Sequence, residues 1–145
     1  MIKLAHVCIE SNDLDATERY YGCLGIRRQF EFRNHQGLLI GYYLKFDDRS
    51  FIEVIRVECV RPEGAVRHFA VECDDVESVR ARLLAAGFKA SAKRLGEDCT
   101  WMVTSHDPNG VFIEFQQYDR QSMQLEGGTC LIDYVPRPAP KATTQ

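Results

Sequence analysis

The chain is written twice. Displaced by 62 positions, its first half falls on its second: His6 meets His68, Asp13 meets Asp75, Leu14 meets Val76, Tyr21 meets Leu83, Gly25 meets Gly87 and Ile26 meets Phe88. Displaced by 61, RSFIEV (49–54) falls within NGVFIEF (109–115), so Phe51 meets Phe112 and Glu53 meets Glu114; a single loop deletion accounts for the difference. A repeat of this length is one supersecondary unit used twice, and it constrains the fold more than any other feature of the sequence.

Each copy has the same layout. The first has a strand at 2–10, a helix at 13–24 and strands at 26–33, 38–46 and 51–57. Asp13 is placed to cap its helix, and Gly25 to end it in the left-handed conformation. The second has a strand at 66–73, a helix at 75–86 capped by Asp74 or Asp75 and stopped at Gly87, and strands at 88–93, 99–105 and 111–117. In DDVESVRARLLAAG the stripe Val76, Val79, Leu83 and Ala86 has the spacing of a half-buried helix. HDPNG (106–110) reads as a turn. The expected architecture is α+β: two tandem βαβββ modules forming a curved sheet around a central cavity. The modules span 1–60 and 61–118, followed by a C-terminal extension at 119–145. Residues 118–134 are expected to pack on the body, and the Pro- and Ala-rich 135–145 to stay disordered.

A chain of 145 residues, 45% hydrophobic, can bury a core without staples. Its net charge of -3, with no long Lys/Arg cluster, argues against a nucleic-acid partner. No run approaches 18 apolar residues, so no membrane span is expected. The first residues enter a strand-like segment with no leader pattern. Cys8, Cys23, Cys59, Cys73, Cys99 and Cys130 form no CxxC pair. A reduced, cytoplasmic protein is expected.

Strand side chains alternate between faces. His6, Cys8 and Glu10 share one face of the first strand, and Ala5, Val7 and Ile9 the other. His68, Ala70 and Glu72 oppose Phe69, Val71 and Cys73. The apolar sets must meet the helices, so the histidines point away from them. By the same count Phe51, Glu53 and Ile55 oppose Ile52 and Val54, and Phe112, Glu114 and Gln116 oppose Val111, Ile113 and Phe115. A carboxylate in an apolar strand is costly unless paired or bound to a cation. A lone histidine or glutamate of this kind is ordinarily a satisfied core or rim residue. Here both copies place a histidine on the first strand and a glutamate on the fourth. If a pseudo-twofold axis relates the halves, two imidazoles and two carboxylates meet as a divalent-metal site with positions open for water or substrate. His35 and His106 fall in expected turns and read as solvated, as does the Arg27-Arg28 strand edge; Glu10 and Glu72 read as a rim.

The segments KLAHVCIE, DLDATERYYGCLG, SFIEV, VRHFAVECDDVESVRARLLAAG and DPNGVFIEF resemble the vicinal oxygen chelate superfamily (glyoxalase/bleomycin resistance/dioxygenase), over about residues 2–117. Within it the pattern is closest to glyoxalase I-like members. The resemblance implies metal ligands at His6, Glu53, His68 and Glu114, and a homodimer whose sites draw ligands from both chains. It implies a divalent ion, with nickel, cobalt or zinc first and manganese or iron also accepted. The implied activity is that of a lyase or isomerase. A small hydroxy-carbonyl substrate passes through an enediolate whose charge the cation stabilises, and Glu114 or Glu53, with Glu114 preferred, moves the proton. Lactoylglutathione lyase is the nearest named activity. Such enzymes usually hold glutathione with an arginine after the first histidine and an asparagine after the first metal glutamate, where this chain has Glu10 and Val57. An epimerase or another enzyme of the superfamily on a non-glutathione substrate therefore stays open. So does a module that sequesters a small molecule without turnover, its pocket lined by Phe51, Ile55, Trp101 and Phe112.

Overall fold

The computed structural model describes residues 6–47, 50–60, 68–127 and 129–131. The first module runs β1 (His6–Ser11), α1 (Leu14–Cys23), β2 (Arg27–Arg33), β3 (Leu39–Lys45) and β4 (Phe51–Arg56). The second runs β5 (His68–Glu72), α2 (Val76–Ala85), β6 (Arg94–Leu95), β7 (Trp101–His106) and β8 (Phe112–Gln117), and a short helix α3 (Met123–Glu126) follows. The helix ends obey local chemistry. The Asp13 carboxylate accepts from the Ala16 N–H at 2.9 Å, and that of Asp75 from Glu77 N–H at 3.0 Å. Gly25 and Gly87 close the helices at φ of +86° and +84°, a conformation a Cβ would disfavour.

Both modules are βαβββ-like, and each folds into a mixed four-stranded sheet. The strand orders are β1-β4-β3-β2 and β5-β8-β7-β6, with the first pair in each parallel and the rest antiparallel. The curved sheet around a central cavity expected from the sequence does not form. The two sheets stay separate, and neither curls or closes into a pocket. The reason lies in what the modules share. Tyr20 and Tyr21 of α1, Ile52 and Val54 of β4, Leu83 of α2, and Ile113 and Phe115 of β8 belong to one continuous core. Burial at about 25 cal/mol per Å² favours joining the apolar faces, and in this chain that joining does not draw the polar faces together. A cleft of about 600 Å³ between the modules is lined by Val7, Phe69, Val71, Val79, Arg82 and Phe115, largely from the apolar side of the strands.

A polar latch crosses the same boundary. The Tyr21 hydroxyl donates to Asp107 Oδ2 at 3.2 Å, and Asn109 Nδ2 donates to Thr17 Oγ1 at 2.9 Å. The HDPNG segment is a turn, as expected, with the Asn109 and Val111 N–H groups donating to Asp107 Oδ1. His106, however, ends strand β7.

The strand expected at 88–93 is absent; its place is taken by the two-residue β6. Phe88 turns inward, its ring edge-on to Tyr20 at 4.9 Å. Past it, side chains do part of what a ladder would do: Ser91 Oγ accepts from Thr104 N–H and Ser105 Oγ donates to the Lys89 carbonyl. Beyond β8, α3 docks on the turn before β7, with Met123 N–H donating to Asp98 O and the Thr100 hydroxyl to Gln124 Oε1. Residues 2–5, 66–67 and 135–145, for which strands and disorder were expected, lie outside the described residues. All six cysteines are free thiols, and among the described residues no helix is long and apolar enough to cross a membrane.

Candidate functional site

Strand register places the polar residues. In the first sheet His6 lies beside Phe51 and Cys8 beside Glu53, while Tyr43 of β3 lies across from Glu53. Ile52 and Val54 point into the core, so Phe51, Glu53 and Ile55 take the outer face. There His6 Nε2 stands 3.3 Å from Glu53 Oε2, and His6 Nδ1 stands 3.4 Å from the Tyr43 hydroxyl. Both polar partners are open to solvent, the histidine side chain 39% exposed and the glutamate 21%. Desolvation pushes the Cys8 thiol up, and the charge and hydrogen bond of Glu53 push the same way, so the sulfur on this face stays protonated.

The second sheet repeats the arrangement with different surroundings. His68 lies beside Phe112 and Ala70 beside Glu114, matching His6 with Phe51 and Cys8 with Glu53. His68 Nε2 is 3.8 Å from Glu114 Oε2. Gln116 Nε2 donates to the same carboxylate oxygen at 3.1 Å, and the Tyr118 hydroxyl donates to Gln116 Oε1 at 3.0 Å. Glu114 is thus oriented by a two-residue relay.

The structure therefore brings His6 to Glu53 and His68 to Glu114. It does not assemble the four: among the described residues no three or more His, Cys, Asp or Glu side chains come together as a metal cage. Each pair offers one imidazole nitrogen and one carboxylate. That is the right chemistry for a borderline divalent ion but half the usual number of protein donors. The residues suggested as pocket lining divide as well. Phe51 and Ile55 share the outer face with Glu53, and Phe112 stands 5.9 Å from the His68 ring. Trp101 instead shares its face with core residue Val103, packs against the core and lies under the Lys93 ammonium at 4.6 Å.

Four residues at these pairs escaped the sequence reading. Tyr43, Gln116 and Tyr118 received no role, and Cys8 was read only as a small hydrophobe. Gln116 carried a signal, since it shares the parity of Glu114; Tyr43 became visible only through cross-strand register. His106, read as a solvated turn residue, is exposed but lies 5.0 Å from the Phe112 ring.

Comparison with known proteins agrees with this architecture. The sequence profile described as the Glyoxalase/Bleomycin resistance protein/Dioxygenase superfamily matches residues 5–104. No curated protein sequence matches the chain. Among solved structures, a glyoxalase family protein from Enterococcus faecalis is similar at a TM-score of 0.66 and 23% identity, covering 79% of this chain and 96% of that one. A bleomycin-binding protein complexed with bleomycin is similar at 0.63 and 20% identity, with 81% and 100% covered. Lactoylglutathione lyase from Agrobacterium tumefaciens is similar at 0.58 and 17% identity, with 79% and 92% covered. At these identities the likeness is one of fold.

Proposed function

Because the chain belongs to the Glyoxalase/Bleomycin resistance protein/Dioxygenase superfamily, we propose that it is a metal-dependent lyase or isomerase of a small hydroxy-carbonyl compound, working as a homodimer. The observation that carries this reading is the matched His–Glu pair on the outer face of each sheet, at 3.3 and 3.8 Å in the same strand register. Two donors hold a divalent ion poorly, and four hold it well. Since the chain keeps its two pairs apart, a second copy is the natural source of the missing half. His6 and Glu53 of one protomer would face His68 and Glu114 of its partner. Nickel, cobalt and zinc suit such a donor set, and manganese and iron are also compatible.

A bound cation would supply charge stabilisation to two adjacent substrate oxygens, acidifying the neighbouring C–H. The chain's own residues would do the rest. Glu114, held in place by Gln116 and Tyr118, takes the proton and returns it one carbon away, and Glu53 is the alternative base. His6 and His68 remain neutral imidazoles turned toward the carboxylates. Glu10 and Val57, at the places where an arginine and an asparagine usually hold glutathione, favour a substrate other than a glutathione adduct, with lactoylglutathione lyase as the nearest named activity. An epimerase would use the same groups. A module that sequesters its ligand without turnover is the second reading, favoured by the fold shared with the bleomycin-binding protein.

Elemental analysis with light scattering tests the proposal. We expect about one divalent ion per site in a dimer, and loss of it in either His6→Ala or Glu114→Gln. A metal-free wild-type protein, or full metal retention in both variants, would overturn the reading and leave sequestration.

A further inference from the structure

The two matched faces are not equivalent. Opposite Glu53 stands Tyr43; opposite Glu114, at the corresponding register, stands Thr104. On the next strand out, Phe32 pairs with Gly41 in the first module, where Arg94 pairs with Met102 in the second. The first face has become a sheet of rings. Phe30 and Tyr43 stack at 4.5 Å with 21° between their planes. Phe32 stands edge-on to both, and Phe51 is 5.9 Å from Tyr43. The His6 ring closes the row, 5.3 Å from Tyr43.

Rings in a core are covered, but Phe30 is 47% exposed. An exposed aromatic row beside a polar pair suits a ligand that is apolar at one end and oxygenated at the other. Charge narrows the class further. By strand parity Glu10 and Glu53 share this face, and a carboxylate-bearing ligand would meet repulsion there. A neutral ring would not.

We propose that the Phe30, Phe32, Tyr43 and Phe51 face is a binding subsite for the uncharged aromatic ring of the substrate, whose hydroxy-carbonyl group then lies at His6 and Glu53. This rests on the function proposed above and names its substrate class: aryl hydroxy-ketones rather than aliphatic or anionic ones. The asymmetry divides the labour, with the first module holding the ring and the second, through the oriented Glu114, moving the proton.

The test compares 2-hydroxyacetophenone with hydroxyacetone by calorimetry on the full chain, with and without added nickel. Stacking of about 1 kcal/mol per ring contact predicts about fivefold tighter binding of the aryl ketone, or more where two rings engage it. Phe30→Ala should remove most of that preference while leaving hydroxyacetone affinity and metal content unchanged. A conservative Phe30→Leu should restore only the part due to apolar burial. Equal affinities in the wild type, or a preference untouched by Phe30→Ala and Phe32→Ala together, would overturn the inference. Dissociation of a dimer by Phe30→Ala with the preference unchanged would also overturn it, because a second copy would then be what covers the rings. A ring preference that persists in protein holding no metal would support the subsite while sinking the metal-dependent reading, so the two can fail separately.

Discussion

Replacing Asp107 with alanine isolates the contact that ties the two modules together. The carboxylate is only 4% exposed. It accepts four hydrogen bonds: from the Tyr21 hydroxyl at 3.2 Å, from Asn109 Nδ2 at 3.0 Å, and from the N–H groups of Asn109 and Val111 at 2.8 and 2.9 Å. Alanine leaves these donors behind. The Tyr21 side chain is 1% exposed, so its hydroxyl has little access to water. One fully stranded buried donor costs about 1–3 kcal/mol, and the turn amides lose part of their bonding as well. We expect a total near 3–4 kcal/mol, within the range for breaking a buried charged contact. At this chain length that corresponds to a fall in Tm of about 12 °C. Urea unfolding followed by circular dichroism measures it.

The pH dependence provides a second signature of Asp107. Burial raises its carboxyl above the ordinary value, against the opposing pull of its hydrogen bonds from Asn109, Val111 and Tyr21. A raised acid holds its proton more tightly in the folded state. Stability from this group is therefore greatest below the unfolded carboxyl value and declines as pH rises through the folded one. The alanine variant should lack that decline. A loss below 1 kcal/mol, with the pH slope unchanged, would refute the view that the latch joins the modules.

Two further substitutions probe the sheet and the shared core. A Cβ at Gly41 would sit 2.3 Å from the backbone oxygen of Val54, so Gly41→Ala should destabilise the first sheet by about 3 kcal/mol, read as a lower urea midpoint; a neutral result would mean that β3 and β4 can separate freely. Leu83, fully buried on α2, should cost about 3–4 kcal/mol as alanine, with a single cooperative transition retained; two separate transitions would show that the modules do not share one core.

What could be read in advance was what neighbours along the chain decide. The Asp13 and Asp75 caps act within three residues of themselves, and Gly25 and Gly87 act on their own dihedrals. Alternation placed His6 and Glu53 on the face away from the core because parity needs only a correctly assigned strand. The same rule failed at 88–93, where Phe88 answers to Tyr20 and Ser91 to Thr104, partners 68 and 13 positions away. Tyr43 could not be found beside His6 for the same reason. Its place there depends on β3 pairing with β4 in one register and no other.

The duplicated pattern by itself determined two βαβββ-like modules, their helix limits and the matched His–Glu pairs, since repetition, capping and alternation are local properties. Only the tertiary structure decided that the sheets stay separate, that Tyr21 and Asp107 lock module to module, and that one outer face carries rings where the other carries a polar relay. Those outcomes follow from which apolar surfaces meet and in what register. That is a contest among distant segments, and no short window of sequence records its result.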